Sequence, residues 1–118
     1  MNQRIKNLAV KLRENKLDGL IVSLASNISY LTQHASRDSY LLISPQENIY
    51  FTDSRYTEEA RHSLKKIARV KKVNGSVFKL IGESCKTLGL KRVGFEERNL
   101  AYAEFKKIGS YFKGKGKL

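Results

Sequence analysis

The sequence predicts an α/β fold, a three-layer sandwich in which a mixed central β-sheet is flanked by helices. Three observations lead to this prediction. Segments with helical spacing of apolar residues alternate with strand-like segments along the chain. Two of the strand-like segments are short apolar runs of the kind found in sheets that are covered on both faces. Two others are separated by only three residues, which is typical of an antiparallel β-hairpin.

The first half of the chain predicts a helix, a strand, a short helix and the hairpin. Apolar residues of the first segment recur at helical spacing, at Ile5, Leu8, Ala9 and Leu12. Leu20–Val22 is an apolar run, and we expect it in the centre of the sheet. Residues 23–32 predict a short helix with Ser26 as its cap. The hairpin strands follow at Tyr40–Ser44 and Asn48–Thr52.

A junction between a strand and a helix lies just after the hairpin. Strand formers end at Thr52, and apolar residues then recur at helical spacing, at Tyr56, Ala60, Leu64 and Ile67. Thr52, Asp53 and Ser54 offer side-chain oxygens where the free backbone amides of the new helix would lie. A carboxylate in this position caps a helix far more often than it catalyses, so we expect Asp53 to be a cap.

The second half predicts an edge strand, a helix, a second buried strand and a last helix. Ala68–Val73 carries lysines that would discourage pairing with another sheet edge. The helix that follows is expected to end at Gly89, and its apolar residues are Val77, Leu80, Ile81, Cys85 and Leu88. Arg92–Phe95 is the second buried strand. Asn99 is expected to cap the last helix, whose inner face is formed by Ala101, Phe105, Ile108 and Phe112.

Length and cysteine content limit the class of protein. A chain of 118 residues fits one domain, which we place at residues 1–112, with residues 113–118 as a frayed tail or the start of a linker. No apolar run reaches the roughly 20 residues of a membrane span, and no secretory signal is predicted, so no membrane partner is expected. Cys85 is the single cysteine, which excludes an internal disulfide and favours a cytoplasmic location.

The charge balance raises the question of nucleic-acid binding. The chain carries 23 basic and 11 acidic residues, a formal net charge of +12, and a basic excess is one mark of nucleic-acid-binding proteins. These basic residues are spread over most predicted elements rather than gathered in a stripe with interleaved aromatic residues. We therefore expect no nucleic-acid partner, and we keep a basic α/β nuclease or nucleic-acid-binding module as the alternative function.

Catalytic and metal-binding patterns are largely missing from the sequence. Neither glycine-rich phosphate-loop pattern occurs. The candidate zinc ligands are too widely separated to form a pair on one element; they are His34, His62 and Cys85. A weaker hypothesis places Mg²⁺ between two strand ends, with Asp53 after one strand and Glu96 and Glu97 after another. We assign no catalytic and no metal-binding residue.

Three segments, taken in order, carry a resemblance to a known family. The first reads N-I-x-Y-L-T and consists of Asn27, Ile28, Tyr30, Leu31 and Thr32. The second reads T-D-x-R-Y and contains Asp53, Arg55 and Tyr56. The third reads V-G-F-E and contains Gly94, Phe95 and Glu96. Together they resemble the N-terminal domain of the creatinase, prolidase and aminopeptidase P family, and the resemblance covers nearly all of the chain.

The resemblance implies the non-catalytic N-terminal domain of a proline-specific metallopeptidase, a hydrolase of the Xaa-Pro dipeptidase or aminopeptidase type. In that family, two divalent metal ions (Mn, Co or Zn) are held by two Asp, one His and two Glu of a C-terminal catalytic domain, which we expect to be absent here. The isolated chain is then expected to be inactive. Its expected partners are its own catalytic domain and a second subunit of a homodimer. A stand-alone regulatory module that dimerises through a sheet edge or an exposed helix is a further alternative.

The resemblance also singles out one loop. In the family a loop of the N-terminal domain can approach the neighbouring subunit's active site, and by position it corresponds to Gln33–Ser39. Its candidates to face a substrate or partner are His34, Arg37 and Asp38. Gln33 and His34 stand where many members carry Gly-Phe. The remaining motif residues are expected to be structural, with Arg55 bonding to nearby acids or carbonyls and Tyr56 filling a sheet–helix interface. The motif residues expected to be structural are Asn27, Tyr30, Thr32, Asp53, Arg55, Tyr56, Gly94 and Glu96.

Overall fold

The computed structural model contains five helices and six strands within the residues that it describes, which are 3–34, 36, 38–96, 102–109 and 115–116. The helices are α1 (Gln3–Glu14), α2 (Ala25–Thr32), α3 (Thr57–Ser63), α4 (Val77–Thr87) and α5 (Tyr102–Gly109). The strands are β1 (Gly19–Val22), β2 (Tyr40–Ile43), β3 (Ile49–Thr52), β4 (Arg69–Lys72), β5 (Arg92–Phe95) and β6 (Lys115–Gly116).

The strands form one mixed sheet in the order β4-β3-β2-β1-β5-β6. β2 is antiparallel to both of its neighbours, β1 and β3. The other pairs are parallel, so β1, β3, β4, β5 and β6 all run in one direction. The predicted hairpin is therefore confirmed, and it is the feature that makes the sheet mixed.

Helices cover both faces of the sheet. One core layer joins α1, α2 and α3 to alternate residues of β1 to β4, and it includes Ile5, Ile28, Leu41, Tyr50 and Leu64. The other joins α4 and α5 to the remaining residues of β1, β2, β3 and β5, and it includes Ile21, Leu42, Phe51, Ile81 and Ile108. Successive strand residues point to opposite faces, so both layers draw on the same strands. The predicted three-layer sandwich is confirmed.

A carboxylate fixes the pairing of the two buried parallel strands at their beginning. Asp18 immediately precedes β1, and its two carboxylate oxygens accept the backbone amides of Lys91 and Arg92, both at 2.8 Å. The amide of Asp18 in turn donates to the carbonyl of Arg92 at 2.9 Å. Since the first residues of a strand lack a ladder partner on one side, this side chain extends the β1–β5 pairing by one step.

Two predicted helix caps are wrong. α2 begins at Ala25, so Ser26 lies inside the helix, and Leu24 occupies the cap position without a side-chain hydrogen bond. α3 begins at Thr57, with Tyr56 at its cap and again no side-chain bond, so Asp53 does not cap it. The chain takes a turn of its own before α3, and this turn moves the helix start past the residues that the sequence pattern favoured.

The last segment contains a short strand. Within residues 113–118, which we expect to be a frayed tail or the start of a linker, Lys115 and Gly116 pair in parallel with Arg92 and Val93 as β6. β5 would otherwise leave its backbone groups open along that edge, which explains why a short polar segment pairs there. The expected cap Asn99 and the inner-face residues Ala101 and Phe112 lie outside the described residues.

Other element predictions are confirmed. β4 lies at the edge of the sheet and β1 in its interior. Gly89 follows α4 with a φ of 69°, the left-handed conformation that glycine adopts without steric cost.

Within the described segments, no helix combines the length and the apolarity that crossing a bilayer would need.

We expect Ile21→Val to lower the free energy of unfolding by about 0.5–1.5 kcal/mol, because Ile21 is fully buried in β1 and the deletion leaves a methyl-sized gap. Val10→Ala on α1 is the control, since Val10 is 48% exposed and its truncation should change stability by less than about 0.5 kcal/mol. Urea denaturation of both variants measures the difference. Equal effects would show that the β1 layer is not closely packed.

Candidate functional site

Five of the motif residues lie around one edge of the sheet: Asn27, Asp53, Arg55, Tyr56 and Glu96. β1, β3 and β5 all end there, and the antiparallel β2 begins there. We call this the carboxyl edge, and define it by its described residues, which are Ser23–Asn27, Gln33, His34, Ser36, Asp38, Ser39, Asp53–Tyr56 and Glu96. Ligands of open α/β sheets generally bind beyond the carboxyl ends of strands, so this edge is the candidate functional site.

Glu96 joins the end of β5 to the beginning of α2. Its Oε1 accepts the backbone amides of Ser23 at 2.6 Å and Leu24 at 2.8 Å. Its Oε2 accepts the side-chain amide of Asn27 at 2.5 Å. These backbone amides lie at the positive end of the α2 dipole, where a carboxylate is stabilised. Glu96, from the V-G-F-E segment, therefore accepts the backbone amides that precede α2. The residue at the cap position, Leu24, provides no side-chain acceptor of its own.

Arg55 bridges two acidic residues from different segments. Asp53 Oδ1 accepts the backbone amide of Arg55 at 2.9 Å, which closes a tight turn after β3. The guanidinium donates to both oxygens of Asp53, at 3.1 Å from Nε and 2.6 Å from Nη2. Nη2 also lies 3.2 Å from Oδ2 of Asp38. The expected role of Arg55 as a ligand of nearby acids agrees with these contacts.

The electrostatics of this bridge are those of a surface charge pair. The hydrogen bond from the Arg55 side chain holds the pKa of Asp53 below its ordinary value of 3.8. The same hydrogen bond raises the pKa of Arg55. The Arg55 side chain is 62% exposed and that of Asp38 is 67% exposed, so solvent screens the pair and its main effect is on position.

The Tyr56 ring lies beside this bridge. The guanidinium carbon of Arg55 lies 4.9 Å from the centre of the ring, within the range of a cation–π contact. Tyr56 is half-buried. Tyr56 was expected only to fill the interface between the sheet and a helix. Its ring also contacts the guanidinium of Arg55.

The loop from Gln33 to Ser39 is held at its first end. Gln33 adopts a φ of 57° after α2, a left-handed conformation that glycine adopts more easily. Thr32 Oγ1 donates to the carbonyl of Ile28 at 2.7 Å and accepts the amide of His34 at 3.3 Å. Ser36 donates its amide to Ser29 Oγ at 3.0 Å. Ala35 and Arg37 lie outside the described residues.

His34 points inward rather than toward a partner. Its side chain is 8% exposed, and Nε2 lies 3.8 Å from a carboxylate oxygen of Glu59 on α3. The imidazole packs edge-on against the Tyr50 ring, with ring centres 5.9 Å apart. Of the three loop candidates, the structure therefore exposes Asp38, buries His34, and does not describe Arg37.

The remaining motif residues divide between surface and core. Tyr30 is 59% exposed, and the guanidinium carbon of Arg4 from α1 lies 4.1 Å from the centre of its ring. Arg4 Nη1 also donates to the carbonyl of Tyr30 at 2.6 Å. Gly94 is buried in β5 opposite Leu20. The sequence analysis did not identify Arg4. This residue belongs to α1, and no local pattern in the sequence shows that its side chain contacts Tyr30 of α2.

The carboxyl edge does not form the hypothetical magnesium site. β2 and β1 separate β3 from β5, so Asp53 and Glu96 do not share adjacent strand ends. Both carboxylates are already occupied, by Arg55 and by the amides before α2. Across the described residues, no three His, Cys, Asp or Glu side chains come close enough to hold a metal ion. Glu97 lies outside those residues.

A separate groove lies at the opposite edge of the sheet. It has a volume of about 620 Å³ and runs between α1 and the turn that joins β2 to β3. Its walls are largely apolar and include Ile5, Val10, Leu17, Ile43 and Pro45. The described motif residues do not line it, so the groove and the carboxyl edge are different surfaces.

Comparison with known proteins gives a consistent result. The family model described as the Creatinase/Prolidase N-terminal domain matches residues 4–117. A curated relative, the "Uncharacterized peptidase YqhT" of Bacillus subtilis (strain 168), is 26% identical over 103 residues, which are 87% of this chain and 28% of the relative.

Solved structures show the same fold. The Xaa-Pro dipeptidase from Bacillus anthracis matches with a TM-score of 0.87 and 21% identity, over 97% of this chain and 32% of that one. The N-terminal domain of the cytoplasmic peptidase PepQ from Mycobacterium tuberculosis H37Rv matches with a TM-score of 0.85 and 21% identity, over 100% of this chain and 92% of that one. The chain thus spans less than a third of YqhT and of the dipeptidase.

We expect Glu96→Gln to lower the free energy of unfolding by about 1–3 kcal/mol, because it removes the charge beside α2 and turns an amide donor toward the amide of Asn27. Glu83→Gln on the exposed side of α4 is the control and should change stability by less than about 0.5 kcal/mol. Thermal or urea denaturation measures both. A loss no larger than that of the control would show that Glu96 does not stabilise the start of α2.

The stability contributed by Asp53 should depend on pH. Its pKa is lowered in the folded chain, so the contribution is present above the ordinary value of 3.8 and is lost as the pH falls through the folded value. The difference in stability between the unaltered chain and Asp53→Asn should therefore shrink below that pH. In an Arg55→Ala background this pH dependence should disappear. Denaturation series between pH 2 and pH 7 (roughly the range over which carboxylates titrate) measure it, and a difference that stays constant would contradict the pairing.

Proposed function

The chain belongs to the creatinase/prolidase N-terminal domain family, and from this membership we propose that it is the non-catalytic N-terminal domain of a proline-specific metallopeptidase, an Xaa-Pro dipeptidase or aminopeptidase. The single observation that carries the proposal is the family match over residues 4–117. The named peptidases among the similar proteins support it. We also propose a cytoplasmic location, in keeping with the description of PepQ.

Catalysis is assigned to polypeptide outside this chain. Two divalent metal ions, Mn, Co or Zn, would activate water and polarise the scissile peptide bond in a C-terminal catalytic domain. The donor set of the described residues does not fit such a centre, because the carboxylates of the carboxyl edge are bonded to Arg55 and to backbone amides. The residues described here therefore perform no chemical step in the proposal.

In this proposal the domain contributes contacts to other parts of the enzyme and a surface held in a fixed position. In the complete peptidase it would pack on its own catalytic domain, support a homodimer and border the path that substrates take to the active site. Asp38 suits the last role because its side chain is exposed while Arg55 fixes its position. Arg55 itself keeps Nη1 outside the described hydrogen bonds, so it can donate to a carbonyl or carboxylate of a substrate or partner.

The position of this surface depends on the buried parts of the loop. The ring of His34 packs against Tyr50, and the amide of His34 donates to Thr32 Oγ1 at the end of α2, so these contacts hold the beginning of the loop to the domain. Asp38 reaches the turn after β3 through Arg55. Contacts of this kind would hold the described residues in place, so that they orient an incoming peptide at a small cost in conformational entropy.

A peptidase assay tests the division of labour. The purified 118-residue chain with Mn²⁺ or Co²⁺ should not hydrolyse an Xaa-Pro dipeptide, whereas the complete polypeptide to which the chain belongs should. Turnover by the chain alone would overturn the proposal. Salt-sensitive binding of the chain to DNA or RNA would instead favour a nucleic-acid-binding module.

The role of the loop is tested in the complete peptidase. Arg55→Ala should raise KM by roughly tenfold with a smaller change in kcat, because it releases the surface that orients the substrate. Arg61→Ala, at an exposed position of α3, is the matched control and should leave both constants unchanged. Unchanged kinetics in Arg55→Ala would show that this surface does not border the substrate path.

A further inference from the structure

β4 forms an outer edge of the described sheet and pairs on one side only. The amide of Arg69 donates to the carbonyl of Asn48, and that of Val73 donates to the carbonyl of Thr52, both at 2.8 Å. In a parallel ladder alternate residues face the neighbouring strand. The backbone groups of Val70 and Lys72 therefore point away from β3, and no described residue hydrogen-bonds to them.

Unpaired lysines flank this open edge. Lys65 and Lys66 are exposed in the turn that leads into β4, and Lys72 is exposed at its end. Within the described part of the chain, none of the three has an ion-pair partner. They leave positive charge at both ends of a strand whose outward backbone groups are unpaired.

The other two cations of β4 are already engaged. Arg69 forms an ion pair with Glu47, with Nη2 2.6 Å from Oε1. Lys71 points toward the α4 side of the sheet, and its Nζ donates to Ser84 Oγ at 3.0 Å. Burial, with the neighbouring Arg69 charge, lowers the pKa of Lys71. The charge available to a partner at this edge is thus the charge of Lys65, Lys66 and Lys72.

The sign of the charge selects the partner. Two copies of β4 placed edge to edge would bring lysines against lysines, and edge lysines are a known device against such pairing. A strand that carries carboxylates would meet the opposite charge and satisfy the outward amides and carbonyls at the same time. The partner must offer both carboxylates for the lysines and unpaired backbone groups for β4. An acidic surface whose backbone groups are already bonded within a folded protein would offer only the carboxylates.

We propose that the open edge of β4 binds an acidic, extended polypeptide segment of a partner protein as an additional strand of the sheet. The backbone of Val70 and Lys72 would hydrogen-bond to the segment, and its carboxylates would pair with Lys65, Lys66 and Lys72. β4 spans about 13 Å at roughly 3.3 Å per residue, so a segment of about six residues covers the strand and both charged ends. This inference concerns a different surface from the carboxyl edge and does not depend on the proposed function.

Amide hydrogen exchange followed by NMR tests the proposal. The probe is a synthetic peptide of alternating Glu and Val, about six residues long, acetylated and amidated at its ends. Addition of the peptide to the 118-residue chain should slow exchange at Val70 and Lys72 and leave Val10 on α1 unchanged. A peptide of alternating Lys and Val should not bind. Binding without protection of Val70 and Lys72, or equal binding of the basic peptide, would overturn the proposal.

A pair of variants separates backbone pairing from charge. Lys72→Pro removes the charge and the outward amide, which an edge position tolerates because this amide is not used within the sheet. Lys72→Ala removes the charge alone. The proline variant should bind the acidic peptide about five- to tenfold more weakly than the alanine variant, as expected for one lost hydrogen bond. Equal affinities would overturn strand addition, and the exchange measurement on the unaltered chain still decides the matter if Lys72→Pro does not fold.

The state of the chain without peptide provides the last check. We expect that two copies of the chain do not associate through β4. Sedimentation measures whether the chain associates at all, and amide exchange shows whether β4 is involved. The amides of Val70 and Lys72 should therefore exchange quickly at all protein concentrations. Protection of these amides that rises with protein concentration would identify a second copy as the occupant and would overturn the proposed acidic partner.

Discussion

The whole architecture depends on a sheet whose central strands are buried on both faces. All four residues of β1 and of β3 are buried, and so are three of the four residues of β2. Each fully buried large apolar side chain in these strands contributes roughly 1.5–3 kcal/mol relative to exposure. Helices must therefore cover both faces, and polar side chains are confined to the ends and edges of the strands. Asp18, Asp53 and Glu96 all lie beside the ends of strands, in agreement with this constraint.

Two carboxylates accept backbone amides at the ends of the central strands. Asp18 accepts amides at the start of the β1–β5 pair, and Glu96 accepts the amides that follow β1 at the other end. Amides at these positions have no ladder partner, and each carboxylate supplies the acceptor that the sheet does not provide. Hydrogen bonds to a charged acceptor are stronger than those to a neutral one, so these residues contribute to stability as well as to register. The Arg55 bridge differs, because its exposure leaves mainly a positional role.

A domain built in this way suits a supporting role. Its apolar residues form two core layers, its motif carboxylates are bonded internally, and its exposed charges lie on surfaces rather than in an enclosed pocket. The chain spans less than a third of two of its relatives, and the division in which other polypeptide supplies the chemistry is our proposal. The two surfaces for which we propose a role are the carboxyl edge, proposed to border the substrate path, and the open edge of β4.

Sequence patterns were enough to predict the type and order of the main elements and to indicate the family. Apolar spacing placed β1, the hairpin, β5 and the apolar face of α4, because periodicity directly reports which side chains are buried. The bonding partners of the polar motif residues became visible only in the folded arrangement. Glu96 meets α2 because β5 lies beside β1, and Asp38 meets Arg55 because β2 begins where β3 ends. The same holds for the inward orientation of His34 and for the pairing of β6, since these contacts join residues far apart in sequence and local pattern carries no information about them.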